Sequence, residues 1–542
     1  MLPDTPLANS NWHAVSQQAQ RKISGPIRVG FIYPFAQNSD LQIPLGIGYL
    51  TSYLRQELGD DVEVAALDTG IATPAEINQF LSRPVDILGF SVSSRTYRES
   101  IALLHRYKHL HPFVRVVYGG PHVSMMKEET LLREPAIDMG VYGEGEVTFL
   151  ELVKALHGAQ GDVSDEVLAS IDGLIWRRGE ERKVVVNNER EQIANLDDLP
   201  FPAFDLFPVT RYPSQYPMAT SRGCPFRCTF CTVVTLWGNR AFRVHSAKYI
   251  VDEIEHRVAQ YGNRPVVIHD DAFNTRLDRL VEICEEIIKR NLRIPFNVRG
   301  FRIDILDEER ADLLKRAGCV SIAIGVESAN NDMLAKMLKG TTIEVMDKGI
   351  TMLRKRGIAV RGQFMIGNPG ETLDTVRESI EFALKSDLTS SAFSMAVPFP
   401  KTPLWDYAAD HGRYLVEKDV TTFDDVVGKL IFETEDFTVA DRIQAREMAR
   451  EAGLFYQRAE GLSLRHRVRE SLKGLWYKGF YPRLPRSFTF RLNSWLMHRS
   501  VGAFVTHEQS AWARSRRVDV DSIRMKGLDR GRKLPQAMAR QM

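Results

Sequence analysis

The sequence predicts an α/β protein made of two successive βα series. The first is a doubly wound parallel sheet over residues 27–155. The second is a partial (βα)6 barrel over residues 216–430. Three observations carry this. The strand-like segments are continuous apolar runs, as expected of strands buried on both faces. They alternate with segments of helical periodicity. Small or glycine-rich turns follow several strands, and ligands bind at that C-terminal edge of open α/β sheets.

In the first series, RVGFIYP (28–34) is a strand and LGIGYLTSYLRQEL (45–58) a helix. VEVAALDTG (62–70), VDILGFSVSS (85–94), VRVVYGGPH (114–122) and IDMGVYGEGE (137–146) are further strands, with helices between them. The turns after them hold Ser93 and Ser94, Gly119 and Gly120, and Gly143 and Glu144. None matches GxGxxG with a following acid, so a dinucleotide site is not supported. Residues 156–215 read as a small β-hairpin, GLIWRRGEERKVVVNNER, and a packed linker rich in Pro, Phe and Asp.

The second series opens with MATSRG, a strand leading to the cysteines. It continues through strands PVVIHDD (265–271), IPFNVRG (294–300), VSIAIGVES (320–328), IAVRGQFMIG (358–367) and SSAFSMAVPFP (390–400), each preceded by a helix. About six βα units in ~200 residues make a partial TIM-type barrel, whose site belongs at the C-terminal strand ends. Residues 431–542 lose the α/β rhythm and read as basic and mostly helical.

Composition fits this frame. Of 542 residues, 44% are apolar and 26% charged, which excludes a low-complexity or wholly disordered chain. No uncharged apolar run approaches the ~20 residues of a membrane span. Residues 1–26 read as a polar tail with no secretory signal, so a cytoplasmic protein with reduced cysteines is expected. The charge is uneven. Residues 451–542 hold 19 Lys and Arg against 7 Asp and Glu, a net +12, and the rest of the chain carries −10. A solvated helical cap, a peripheral membrane contact and a site for an acidic or carrier-bound substrate all fit that segment. No nucleic-acid module is present.

The chemistry concentrates in TSRGCPFRCTFCT, where Cys224, Cys228 and Cys231 are spaced C-x3-C-x2-C. Thiolates suit iron–sulfur clusters and zinc. Three on one loop can hold three irons of a cubane and leave the fourth open. A structural zinc wants a fourth protein ligand nearby, and none is close in sequence. Cys284 and Cys319 read as small buried hydrophobes, so no second cluster is expected.

CxxxCxxC with Phe230 before the last cysteine, at the first strand of a six-unit barrel, resembles the radical S-adenosylmethionine (SAM) superfamily. The resemblance implies a 4Fe–4S cluster whose open iron is chelated by SAM. Reduction then yields a 5′-deoxyadenosyl radical that abstracts hydrogen from a substrate. It also implies SAM contacts. Asp270 and Asp271, after the second strand, fall where the family places groups near the methionine amine; a helix cap is the other reading of one of them. Gly325, Glu327 and Ser328 fall where a ribose contact is common. Gly367 lies in GQFMIGNPGET (362–372), which resembles the segment that packs on adenine; Pro369-Gly370 also makes a type II turn. Arg302 reads as a SAM carboxylate contact or a surface salt bridge.

An α/β domain ahead of such a barrel resembles the cobalamin-binding subclass. The supporting segments are PLGIGYL (44–50), DILGFSVSS (86–94), VVYGGPH (116–122) and VYGEGE (141–146). The D-x-H-x-x-G motif that supplies a lower cobalt ligand is missing, and His122 in GGPH reads as a turn residue. On this resemblance, Ser93, Ser94, Gly119, Gly120, Gly143 and Glu144 surround a Rossmann-like cobalamin site. The implied activity is methyl transfer from methylcobalamin to an unactivated carbon of a small or lipid-like biosynthetic intermediate. Flavodoxin or ferredoxin would be the reducing partner. The alternatives are oxidative ring closure or rearrangement with the same cofactors, and a non-catalytic corrinoid carrier; the intact cysteine triad argues against the carrier.

Overall fold

A computed structural model describes residues 23–35, 41–213, 215–237, 242–416 and 430–454. The chain divides into two compact units. One spans residues 1–213 with 235–237, and the other spans 214–234 with 238–542.

The first unit holds strands β1 (Ile27–Tyr33), β2 (Val62–Asp68), β3 (Ile87–Ser91), β4 (Arg115–Gly119) and β5 (Met139–Val141). The antiparallel hairpin of β6 (Leu174–Arg178) and β7 (Lys183–Val186) follows. The sheet order is β2-β1-β3-β4-β5-β6-β7. The pairs from β2 to β5 are parallel, and β5 pairs antiparallel with β6. The hairpin expected within a separate linker therefore extends the first sheet. Ile32, Leu88, Val116 and Tyr118 are fully buried, which explains the continuous apolar runs. The predicted strand 114–122 stops at Gly119 because Pro121 opens a helix over Pro121–Met126.

The Pro- and Phe-rich linker packs on this unit. Leu196 and Leu199 cluster with Tyr49, and Ala203 N–H donates to the Gly48 carbonyl at 3.0 Å. A Cβ on Gly48 would lie 2.9 Å from Pro202 Cβ. That glycine lets the linker lie on the helix Leu45–Leu58.

The second unit is a six-stranded parallel sheet of β8 (Tyr216–Met218), β11 (Val266–His269), β12 (Phe296–Arg299), β13 (Cys319–Glu327), β14 (Ala359–Ile366) and β15 (Ser390–Met395). Its strands lie side by side in chain order. A two-stranded antiparallel ladder joins β9 (Ser221–Arg222) to β10 (Arg243–Val244). MATSRG is thus not one strand. The chain leaves the barrel after Met218 and pairs elsewhere. The amphipathic helices Ala247–Tyr261, Leu277–Lys289, Glu308–Ala317, Ile343–Lys355 and Leu373–Lys385 connect the strands.

Beyond the barrel, β16 (Gly412–Tyr414) pairs with β17 (Phe432–Thr434), and a helix runs over Val439–Glu451. Its outgoing end meets the edge of β15, where Phe393 N–H donates to the Leu454 carbonyl at 3.0 Å. Residues 455–542, which hold most of the basic segment, lie outside the described residues. Among the described residues, no helix is long and apolar enough to cross a membrane.

Candidate functional site

The cysteine loop follows β9 and turns at Gly223, whose φ is +91°. Cys224, Cys228 and Cys231 are reduced and partly exposed. Backbone N–H groups of Phe226 and Val233 serve the sulfurs of Cys224 and Cys231. Burial pushes all three thiols above their ordinary range, Cys231 to about 11. Metal coordination reverses that logic, since it deprotonates a thiol outright. The loop is pinned on two sides. Thr229 N–H donates to the Met337 carbonyl at 3.0 Å, and Leu404 N–H donates to the Thr229 carbonyl at 3.1 Å. No three His, Cys, Asp or Glu side chains among the described residues converge as a single-ion site. A polynuclear cluster asks for something else, one thiolate per iron. Three partly exposed thiols on one fixed loop fit it.

Asp270 is 5% exposed, and its carboxylate accepts four hydrogen bonds. They come from Thr220 N–H at 2.6 Å, Thr220 Oγ1 at 2.5 Å, Ser221 N–H at 3.2 Å and Ser221 Oγ at 2.6 Å. A carboxylate offers about four lone-pair positions, so this one is filled by the segment leading to the cysteines. Its side chain holds the segment that leads into the loop. Asp271, by contrast, is exposed, and its charge acts on the thiols of Cys224 and Cys231. The structure separates two neighbours that the sequence treats as a pair.

Two further buried groups build the same support. Arg279 donates to the carbonyls of Thr220 at 2.6 Å and His245 at 3.0 Å. Asn274 clamps the backbone of Arg302, accepting its N–H at 2.8 Å and donating to its carbonyl at 2.7 Å. Arg302 is no surface salt bridge. It is 9% exposed, forked onto Asp304 at 2.8 and 2.6 Å, and it donates to the Lys339 carbonyl at 2.9 Å. Its guanidinium also lies over Phe226 in the cysteine loop. A guanidinium so engaged supports the loop.

Glu327 ends β13 with φ +67°, where the ladder to β14 slips a residue. Its carboxylate pairs with Lys339 at 3.1 Å, each side chain 12% exposed. The pair lies over Gly325, where a Cβ would be 2.9 Å from Lys339 Nζ and closer still to Glu327. Both charges act on the thiol of Cys228. A non-glycine residue held at positive φ is strained, and such strain concentrates at functional sites. Ser328 turns away. It is fully buried, its hydroxyl accepts from Asn330 N–H at 3.2 Å, and it meets Ser379 at 3.4 Å. Gly367, at φ +107°, also serves the fold. Its N–H donates to Glu371, its carbonyl accepts from Arg442 at 3.3 Å, and Arg442 occupies the space a Cβ would need.

In the first unit the strand order reverses between β1 and β3, which places a ligand crevice outside their C-terminal ends. The expected residues line this edge. Ser93 N–H donates to Thr96 Oγ1 at 2.9 Å, and Ser94 Oγ meets His122 Nδ1 at 3.2 Å. The His122 ring is buried against Tyr97, 4.3 Å between centroids. Gly119 ends β4. Gly120 sits at φ +94°, and a Cβ there would lie 2.8 Å from the Val92 carbonyl oxygen, so only glycine fits. Gly143, at φ +73°, is exposed, with open space where a Cβ would stand. Glu144 is committed inside the fold, where its Oε2 accepts the Ile193 N–H at 2.8 Å. An edge of backbone and small side chains fits a large flat ligand, with Ser93, Gly119, Gly120 and Gly143 its accessible members. At the same edge Asp68 accepts from Gly70 N–H at 2.8 Å and Tyr212 Oη at 2.7 Å. Burial raises its carboxyl above the usual range.

Sequence reasoning missed Lys339, Asn274 and Arg279. Nothing in their local sequence distinguishes them; their roles come from contacts made across long stretches of chain.

Residues 218–383 match the Radical SAM superfamily and residues 40–153 match the B12 binding domain. An uncharacterized methyltransferase of Pyrococcus horikoshii is 32% identical over 402 residues, covering 73% of this chain and 85% of that protein. The anaerobic magnesium-protoporphyrin IX monomethyl ester cyclase of Rubrivivax gelatinosus is 28% identical, covering 71% and 70%. Among solved structures, the radical SAM methyltransferase TsrM of Kitasatospora setae, with cobalamin and a 4Fe–4S cluster bound, superposes with a TM-score of 0.65 at 20% identity. That match covers 87% of this chain and all of that one, and it is a likeness of fold.

Proposed function

This chain belongs to the radical SAM enzymes that carry a B12-binding domain, and from that premise we propose that it transfers a methyl group from cobalamin to an unactivated carbon of a small or lipid-like biosynthetic intermediate. The observation that carries this is the pinned loop of three separate thiols, held in a chain whose other unit presents an open, backbone-lined sheet edge. Cys224, Cys228 and Cys231 would hold the cluster. When bound, the cluster supplies the electron that cleaves SAM, and cobalamin supplies the methyl group.

The protein's own groups bind and orient. Asp271 and Glu327 present carboxylates suited to the SAM amino group, and Lys339 presents an ammonium suited to its carboxylate. Asp270, Asn274, Arg279 and Arg302 fix the loop and the strand ends that carry those groups. Ser93, Gly119 and Gly143 would meet the corrin. The electron comes from outside, from a partner such as flavodoxin or ferredoxin, and the protein works in the cytoplasm.

The test is anaerobic purification from cells supplied with cobalamin, followed by assay of iron, sulfide, corrinoid and products. About four irons and one corrinoid per chain are expected. Turnover should give S-adenosylhomocysteine and 5′-deoxyadenosine together. Four irons without corrinoid would overturn methyl transfer, and zinc in place of iron would overturn the whole reading. The cyclase relative favours one alternative, ring closure with the same cofactors. Formation of 5′-deoxyadenosine without S-adenosylhomocysteine would select it.

A further inference from the structure

Phe364 shows which face of the barrel sheet the helices cover. Its ring stacks on Phe393 at 4.5 Å between centroids and meets Phe382 of the helix Leu373–Lys385 at 6.5 Å. Successive side chains of a strand alternate between faces, so Arg361 and Gln363 point to the opposite, inner face. The ladders carry that face across the sheet. Arg361 is in register with Ala323 and Ser390. Val298 is in register with Ile322, so Arg299 falls beside Ala323, and His269 is in register with Arg299. One inner row thus reads His269, Arg299, Ala323, Arg361 and Ser390 across five strands.

This row is the floor of an opening. Ser321 and Ala359, one step nearer the N-terminal ends of their strands, are buried. Ala323 and Arg361 are partly exposed, and Gln363, one step nearer the C-terminal end, is exposed in the middle of an inner strand. Gly325, in register with Gln363, has no side chain to cover it. A closed barrel fills its interior with side chains. Here the opening reaches the rim at Glu327, about 13 Å along the strand from Ala323.

The floor is cationic. Arg299 and Arg361 stand one strand to either side of Ala323, so their Cα atoms are about 10 Å apart. The small residue between them leaves room above it for a group that both can reach. Both guanidiniums keep their charge at any pH the protein meets. The row itself holds no carboxylate. Asp271 and Glu327 stand at the rim, and Glu327 is paired with Lys339. Two guanidinium forks, with an imidazole beside one of them, match the oxygens of a phosphate, which arginine grips through parallel N–H bonds. We propose that this floor holds the phosphate of a phosphorylated substrate, whose remaining part rises past Gly325 and Gln363 toward the cysteine edge. The inference rests on the reading above and deepens it by giving the substrate an anionic end.

The test is calorimetric titration of the full-length, cluster-loaded chain without oxygen, at an ionic strength held constant with chloride. The probes are inorganic phosphate, acetate and S-adenosylhomocysteine. Wild type should bind phosphate, and acetate at least about tenfold more weakly. Arg361→Gln and Arg299→Gln should each weaken phosphate at least about tenfold and leave S-adenosylhomocysteine within about twofold. Arg361→Lys keeps the charge and loses the fork, so its phosphate affinity should fall between. Lys289→Gln removes an exposed cation from a helix on the other face and should change nothing. The inference is overturned if wild type binds S-adenosylhomocysteine but not phosphate, or binds acetate as well as phosphate. It is also overturned if Lys289→Gln weakens phosphate as much as the arginine variants do, or if those variants lose S-adenosylhomocysteine and keep phosphate. Failure of wild type to bind S-adenosylhomocysteine would overturn the SAM reading instead, whatever the phosphate titration gives.

Discussion

The guanidinium of Arg302 lies 3.9 Å from the centroid of the Phe226 ring. An arginine after one barrel strand thereby supports the loop that carries the three cysteines. The same guanidinium forks onto Asp304 and reaches the Lys339 carbonyl. Lysine has neither the fork nor the flat face. Arg302→Lys should cost about 1–2 kcal/mol of stability. Purified without oxygen, the variant should retain clearly less iron per chain than wild type while its circular dichroism is unchanged. Full iron content would mean the stack does not position the loop.

The two neighbouring aspartates should part company under mutation. Asp270→Asn leaves one carbonyl oxygen and an NH2 group facing four donors. At least one buried donor loses its acceptor, at about 1–3 kcal/mol. A lower melting temperature and lower iron content are expected together. Asp271→Asn changes an exposed group, so melting temperature and iron should hold while SAM affinity falls. Calorimetry and iron assay on both variants check this, and the opposite assignment would reverse the pattern.

Two glycines make a second contrast. Alanine at Gly325 meets the far ends of the Glu327 and Lys339 side chains, which can swing aside. Gly325→Ala should fold with little loss of stability, yet bind SAM at least tenfold more weakly, because the ion pair is displaced. Alanine at Gly300 meets the backbone carbonyl of Asp270 at φ +69°, and neither can yield cheaply. Gly300→Ala should lose several kcal/mol, on the order of other severe backbone conflicts. Urea unfolding of the two variants separates the cases.

Much of this was legible in the sequence because it is local. Apolar runs such as Val266–His269 and Ala359–Ile366 mark their own strands, and three cysteines within eight residues mark their own chemistry. What stayed hidden depends on pairing across the chain. The filled carboxylate of Asp270 is explained by Thr220 and Ser221, fifty residues earlier. Gly367 reads as a ligand contact, and spacing gives no sign of Arg442, 75 residues later, bonded to its carbonyl. Glu144 follows a glycine turn at a ligand-binding edge, yet it closes on Ile193. Spacing cannot tell a carboxylate that waits for a ligand from one already satisfied by its own chain.

Glu371 gives a prediction whose sign follows from burial. Its carboxyl is 1% exposed and pushed up to about 7 by burial, although two backbone N–H groups and the charge of Arg442 pull the other way. The folded state therefore holds the proton more tightly than the unfolded chain, where glutamate titrates near 4.5. Below about pH 4.5 both states are protonated and stability is unaffected. Between about 4.5 and 7 the unfolded chain ionises first, so stability falls as pH rises. Above about 7 both are ionised and the loss is complete, at most on the order of 3 kcal/mol. Both N–H bonds go to one oxygen, Oε2. Glutamine can present its carbonyl oxygen there and keep them. Glu371→Gln should therefore fold with the same turn and lose this part of the pH dependence. Its stability by urea unfolding should be flatter than that of wild type from pH 5 to 7, and higher than that of wild type at pH 8. Parallel curves for the two proteins would mean that the carboxyl is already ionised in the fold, held by Arg442.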